Sequence, residues 1–225
     1  KKVVQFLLEL PARLREDLGA LLPAGLGRAL LLGQDHEGWT CLHWATEGRK
    51  GEDESRAANV RLKREQKREV VAFLCEQGGP ELYMAPENTQ KLTCMHLACA
   101  SGFMEMVEVL YDMGREPLLH QEDGKGRTCL HFAAANGRKK VVEFLYNVGG
   151  EALLTRRHKD GRTCMHFAAA NGHKKVVDYL RQIPQLGRQL VMSRGEDLWT
   201  TLHWAASSRF EEVELAQEQA EDEKR

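Results

Sequence analysis

Apolar side chains along this chain fall into short periodic blocks punctuated by glycine. In the clearest block, Leu130, Ala133 and Ala134 recur at i, i+3 and i+4 and make one helical face. Thr128 stands just before them, where its hydroxyl can accept a first-turn N–H as an N-cap. Asn136-Gly137 closes this short helix, because glycine takes the left-handed C-cap conformation at little cost. Val141, Val142, Leu145 and Tyr146 restart the period as a second helix, and Gly149-Gly150 ends it. From Glu151 to Arg162 the chain is polar and contains Asp160-Gly161, a turn signal. The predicted unit is therefore helix, turn, helix and an extended, turn-containing finger. Such a unit cannot bury its own apolar face and must stack on copies of itself. Alanines such as Ala133 and Ala134 let neighbouring helices approach.

The copies are present. The phrase Thr-x-(Leu/Met)-His-x-Ala occurs as "TCLHWA" at Thr40, "TCMHLA" at Thr93, "TCLHFA" at Thr128, "TCMHFA" at Thr163 and "TTLHWA" at Thr200, with spacings of 53, 35, 35 and 37. A second phrase follows it: "EVVAFL" at Glu69, "EMVEVL" at Glu105, "KVVEFL" at Lys140 and "KVVDYL" at Lys175. The spacing of 53 contains an insertion of about 18 residues, and Arg61, Lys63, Arg64, Lys67 and Arg68 make this region basic. Ser55 can cap a backward extension of the second helix there. Two readings stand: a solvated helix extension, or a docking element for an acidic partner or nucleic acid. No interleaved aromatics or nucleic-acid motif support the latter form.

These phrases resemble the ankyrin-repeat family, whose signature is Thr-Pro-Leu-His-x-Ala, then Gly, then an apolar Val-Val-x-x-Leu helix, in about 33 residues. Cys or Thr replaces the family's Pro at all five sites, and the commonest spacing is 35. The resemblance implies an all-α, ankyrin-type solenoid of stacked helix-turn-helix repeats with extended finger loops. It divides the chain into 1–34, the second helix of a truncated repeat plus a long connector; 35–87, a repeat with the basic insertion at 49–67; 88–122, 123–157 and 158–194; and 195–225, a partial repeat with a polar capping helix or linker. "KKVVQFLLEL" at Lys1 matches "KKVVEFLYNV" at Lys139, so the chain is expected to open mid-repeat and to be part of a longer protein.

Composition narrows the chemistry. Hydrophobic residues are 42%, charged residues 29% and net charge −1, which describes a globular chain without a bias toward nucleic acid or anionic membranes. No apolar run reaches the roughly 18 residues of a membrane span. Six cysteines without a secretion signal suit reduced thiols in a cytoplasmic protein.

The repeated Cys-x-His pair invites a metal or thiol-enzyme reading, but residues at i and i+2 of a helix do not face each other. Equivalent residues of stacked helices lie roughly 8–10 Å apart, whereas zinc needs ligands at about 2.0–2.3 Å. Thiol catalysis meets the same geometry and lacks an orienting carboxylate. We therefore expect no catalytic residues, metal or cofactor, with redox or zinc sensing through the thiols behind these readings.

The resemblance also implies roles. The Thr and His of each phrase tie finger to helix, here Thr40/His43, Thr93/His96, Thr128/His131, Thr163/His166 and Thr200/His203. Trp44, Phe132, Phe167 and Trp204 take a core slot. Partners bind a concave surface of finger tips and first helices, where the residue before each Thr is exposed: Trp39, Leu92, Arg127, Arg162 and Trp199. Arg157 and Lys159 add positive charge to one finger. The expected function is a non-enzymatic scaffold for a protein partner, an acidic surface being one candidate. The alternative is a regulatory or targeting segment of a larger enzyme, channel or assembly.

Overall fold

The computed structural model describes residues 31–47 and 57–207, with Ala29 beside the first stretch. The expected opening helix after Lys1, the Ser55 cap and the polar segment beyond Ser207 lie outside the described residues. The chain forms two compact units, Lys1–Gly124 and Lys125–Arg225.

In the first unit the helices are α1 (Cys41–Thr46), α2 (Ala57–Gly78), α3 (Pro80–Tyr83), α4 (Cys94–Ser101) and α5 (Met104–Leu119). The short first-type helices α1 and α4 pack on each other, as do the longer α2 and α5. Leu42, Met95, Val71, Leu74, Val107 and Leu110 fill the seam between the two layers and have no exposed surface. In the second unit α6 (Cys129–Ala135), α8 (Cys164–Ala170) and α11 (Thr201–Ser207) stack as first-type helices. Behind them lie α7 (Lys139–Leu154) and α9 (Lys174–Gln182), with α10 (Leu186–Met192) between α9 and α11. Ala133, Ala134, Ala168 and Ala169 are fully buried between the stacked helices, where larger side chains would force the helices apart.

The expected end of the second helix is corrected. The chain turns at Gly150 and coils again, so that a third short helical segment occupies the start of the predicted connector; Leu153 and Leu154 there are fully buried. The same device appears as Gly79 before α3 and as Arg115 within α5. It has two parts. Gly78, Gly114 and Gly149 leave room for a leucine of the third segment, since a Cβ there would sit 2.4, 2.6 and 2.7 Å from side chains of Leu82, Leu118 and Leu153. The next residue takes a positive φ: 65° at Gly79, 58° at Gly150 and 47° at Arg115.

Arg115 is the exception, because its φ 47°, ψ −148° lie in a region reserved for glycine. Its exposed pairing with Asp112 at 3.6 Å and its stacking on Tyr111 at 5.3 Å offset only a few tenths of a kcal/mol each. Arg115→Gly is therefore expected to stabilise the first unit by about 1 kcal/mol, read as a higher urea midpoint at unchanged m-value. An unchanged or lower midpoint would sink the strain argument.

Candidate functional site

Four of the first-type helices start with the same lock. Thr40, Thr93, Thr128 and Thr163 are N-caps in a capping box whose N3 residue, His43, His96, His131 and His166 in turn, is histidine instead of the usual Glu or Gln. The Thr backbone N–H donates to the histidine Nδ1 at 3.2, 3.0, 3.1 and 3.0 Å, and the hydroxyl lies 2.8–3.1 Å from the same nitrogen. An amide can only donate, so Nδ1 must be the acceptor and the ring proton must sit on Nε2. In three repeats that proton reaches the next finger: His43 to the Leu92 carbonyl at 3.0 Å, His96 to Gln121 at 3.1 Å and His166 to Ser193 at 3.1 Å. Burial holds His43 and His166 below the ordinary histidine pKa. These three rings are neutral bridges between repeats.

His131 corrects the expectation that every histidine of the phrase ties finger to helix. Its Nδ1 takes Thr128 as in the other repeats, at 3.1 Å, but its buried Nε2 makes no hydrogen bond to a finger carbonyl. The ring instead stands edge-on to Phe167 of the next repeat, with centroids 5.6 Å apart and planes at 89°. A T-shaped pair of rings is a favourable contact, so His131 joins the two repeats by packing where its counterparts use a hydrogen bond. Thr200 and His203 repeat the local pair, at 2.8 Å, on an exposed surface.

The departure from proline at the next position has a structural cause. The Cys41 thiol donates toward the Leu31 carbonyl at 3.5 Å, Cys94 to Tyr83 at 3.2 Å and Cys164 to Leu154 at 3.9 Å. In the last phrase Thr201 does the same, its hydroxyl donating to Leu190 at 3.1 Å. Each donor serves a carbonyl near the end of the preceding third segment, one of the groups a helix terminus leaves unpaired. Proline would have no side-chain donor. Burial pushes the thiol pKa up, to about 11 for Cys41 and about 12 for Cys75 and Cys164. No reactive thiolate forms at neutral pH in these places. Cys164→Thr should keep the stability of the second unit within about 0.5 kcal/mol, whereas Cys164→Pro should lower it by about 1–2 kcal/mol through the unpaired Leu154 carbonyl. Equal midpoints for the two variants in thermal denaturation would refute this role. Among the described residues, no group of three or more His, Cys, Asp or Glu could hold a metal ion.

The fingers are joined by a second set of bonds. The Asn88 N–H donates to the Glu37 carbonyl at 3.0 Å and Gly124 to Gln90 at 2.7 Å in the first unit; Lys159 donates to Lys125 at 3.1 Å and Glu196 to Asp160 at 2.8 Å in the second. On this frame, except in the Thr93 phrase, where the two positions are Leu92 and Leu97, the residue before the Thr lies against the aromatic ring of the same phrase. Trp39 packs tilted against Trp44, with centroids 4.8 Å apart and planes at 49°, and Trp199 packs edge-to-face with Trp204, at 5.3 Å and 61°. The Arg127 guanidinium lies 4.4 Å over Phe132, and Arg162 lies 4.7 Å over Phe167 and 5.0 Å over Trp204 of the next repeat. Trp44, Phe132, Phe167 and Trp204 are thus half-buried members of a surface layer, a correction to the core slot expected of them. They stand on the helix face that looks past the stacked alanines toward the fingers.

The other candidate residues are placed as follows. Leu92 is half-buried and supplies the carbonyl that receives His43. Lys159 is exposed at a finger tip. Arg157 donates through Nη1 to the carbonyls of Gly161 at 3.0 Å and Arg194 at 3.1 Å, which fastens two fingers together. Arg162 grips Asp160 through Nε at 2.6 Å and Nη2 at 2.5 Å. Burial alone would raise the Asp160 carboxyl, but Arg162 and His158 bring it down to about 2. Sequence reading missed these engagements because the acceptors are mostly backbone carbonyls, which leave no mark in residue types.

No helix among the described residues is long and apolar enough to cross a membrane. A search of curated proteins found no match. A family model described as ankyrin repeats (3 copies) matches residues 56–153 and 116–190, together more than half of the chain. The matched repeats carry the Thr–His lock, the alanine-packed first helices and the bonded finger turns described above, and the chain belongs to the ankyrin-repeat family.

Proposed function

We propose that this chain is a non-enzymatic protein-interaction module whose finger and first-helix face receives a partner, with Trp39 and Leu92 contributing in the first unit and Arg127, Arg157, Lys159, Arg162 and Trp199 in the second. Ankyrin repeats generally mediate protein–protein interactions. One observation carries the finer reading: around a phrase whose Thr, His and Ala are mostly buried, the residue before each Thr, and the aromatic beside it in four of the five phrases, stay partly exposed. Tryptophan and arginine dominate interface hot spots, because they bring large contact area with a polar handle. Stacked guanidiniums are held flat and lose little entropy on binding.

In the second unit Arg127, Arg157, Lys159 and Arg162 favour a partner with an acidic surface. Arg157 and Arg162 also hold fingers together, so reversing their charge would disturb folding as well as binding. The discriminating pair is Arg127→Glu with Lys159→Glu, compared with wild type in affinity capture followed by titration with the captured protein. We expect at least a ten-fold loss of affinity, with the thermal midpoint lowered by no more than about 5 °C through the lost Arg127–Phe132 contact. Unchanged affinity would remove the acidic-partner assignment.

A further inference from the structure

In the second unit cations and aromatic rings alternate. Arg162 is sandwiched between Phe167 of its own repeat, at 4.7 Å, and Trp204 of the following one, at 5.0 Å. Trp199 packs edge-to-face with Trp204, at 5.3 Å and 61°, and lies 6.1 Å from the His203 ring of its own phrase. The order is ring, guanidinium, ring, ring. Trp199 holds the place that Arg162 holds one repeat earlier, yet among the described residues no ring of a following repeat packs against it. It is 38% exposed, beside Leu198 at 68% and Leu202 at 64%.

The turn before Trp199 carries two carboxylates where the preceding finger carries Arg157 and Lys159, with Arg194 exposed at its start. Glu196 and Asp197 are exposed in the turn that ends at Trp199. In the first finger the acid is consumed internally: Asp35 accepts the N–H groups of Glu37 and Trp39 and the indole N–H of Trp44, at 3.0, 2.9 and 3.1 Å. In the last finger Gly195 takes the place of Asp35, and the carboxylates move to the two following positions. Asp197 keeps one local bond, accepting the Trp199 N–H at 3.1 Å.

We infer that Trp199, Glu196 and Asp197 form a seat for an arginine side chain of a partner protein, with Leu198 and Leu202 receiving an apolar residue next to it. The protein itself displays the binding mode. Arg162 lies flat between two rings while its Nε and Nη2 take the Asp160 carboxylate. A partner arginine on the exposed part of Trp199 meets the same combination of ring and carboxylate. Arginine fits better than lysine, because its planar fork stacks and pairs with a carboxylate at once. This inference deepens the finger-face reading and rests on it. Its residues are separate from Arg127 and Lys159, so the two can fail independently.

The test uses the full 225-residue chain. N-acetyl-Arg-Leu-amide is titrated while the Trp199 indole N–H is followed by NMR, the resonance being assigned through Trp199→Phe. The lysine and citrulline analogues serve as probes of charge and shape. A saturable shift is expected with the arginine probe, a weaker one with lysine and none with citrulline. Glu196→Gln combined with Asp197→Asn should weaken binding about five-fold, and Trp199→Leu should abolish it. Glu196→Gln alone, on an exposed side chain, should already lower the affinity without altering the fold. An equal response to citrulline, or indifference to the carboxylate changes, would overturn the seat. So would a response that emerges only after Arg209→Gln, since the chain's own arginine would then be the occupant.

Discussion

Gly187→Ala is expected to be the most damaging single methyl addition among the described glycines, lowering the stability of the second unit by about 3–4 kcal/mol. A Cβ at this position would stand 2.1 Å from the Arg181 carbonyl oxygen, 2.7 Å from its carbon and 3.0 Å from the Leu180 oxygen. All three are backbone atoms at the end of α9. They cannot rotate away as a side chain can. The close approach exists because α10 folds back on α9, with Leu186 and Leu190 at 5% and 3% exposure against the core and the Gly187 N–H donating to Ile183 at 2.9 Å. Gly149→Ala is the control, since its nearest obstacle is the Leu153 side chain at 2.7 Å, and about 1–2 kcal/mol is expected there. Gly150 has nothing within 4 Å, so alanine meets only the positive φ and costs about 1 kcal/mol. Urea denaturation of the three variants tests the order; Gly187→Ala no worse than Gly149→Ala would show that the α9–α10 turn relaxes.

Removing a lock histidine comes next. His166→Ala leaves the Thr163 N–H and the Ser193 carbonyl without their partners, at 3.0 and 3.1 Å in the intact protein, and opens a void at a fully buried position. A loss of about 3 kcal/mol is expected. A loss below 1 kcal/mol would mean that water or a shifted finger replaces the ring.

The same ring makes stability depend on pH. The folded-state pKa of His43 and His166 is lowered, so below the unfolded value of about 6.5 the unfolded chain binds protons that the folded chain refuses. The stabilisation is complete above that pH. It falls as pH drops from about 6.5 toward 5, by at most ~1.4 kcal/mol per pH unit for each ring, and levels off below the folded pKa. Asp160 contributes in a separate window. Its folded pKa of about 2 lies below the unfolded carboxylate value, so its share is present above about 4 and is lost between about 4 and 2. Stability measured between pH 7 and 5 should have a positive slope with pH, and His166→Ala should flatten it. A flat wild-type profile would contradict the neutral-bridge account.

Leu130, Ala133 and Ala134, followed by Val141, Val142 and Leu145, were enough to read two helices per unit, because a helix face is a local pattern written every three to four residues. The Thr-x-x-His pair was equally legible, since its members lie one turn apart. What the far side of each ring meets was not: His131 packs at right angles to Phe167 where His43, His96 and His166 meet carbonyls, although the phrase around it is nearly the same. The third segment was not legible either. Gly149-Gly150 reads as a stop, because glycine at positive φ ordinarily ends a helix; here the chain bends and coils again. The signal was the leucine pair at 118–119 and 153–154, which a polar finger does not need. Met95, Leu130 and Met165 belong to the phrase and are buried, but Leu202, from the same phrase, is exposed at 64%.

The sequence by itself determined the repeat, the helical periods and the family, all of which depend on neighbours within about four positions or on copies of a phrase. Only the tertiary structure decided what the cysteines and arginines are for. The acceptors of Cys94 and Cys164 lie 11 and 10 residues upstream, and one acceptor of Arg157 lies 37 residues downstream. Those partners are main-chain oxygens, identical at every residue. Their selection depends on how one repeat is set against the next, which residue types do not record.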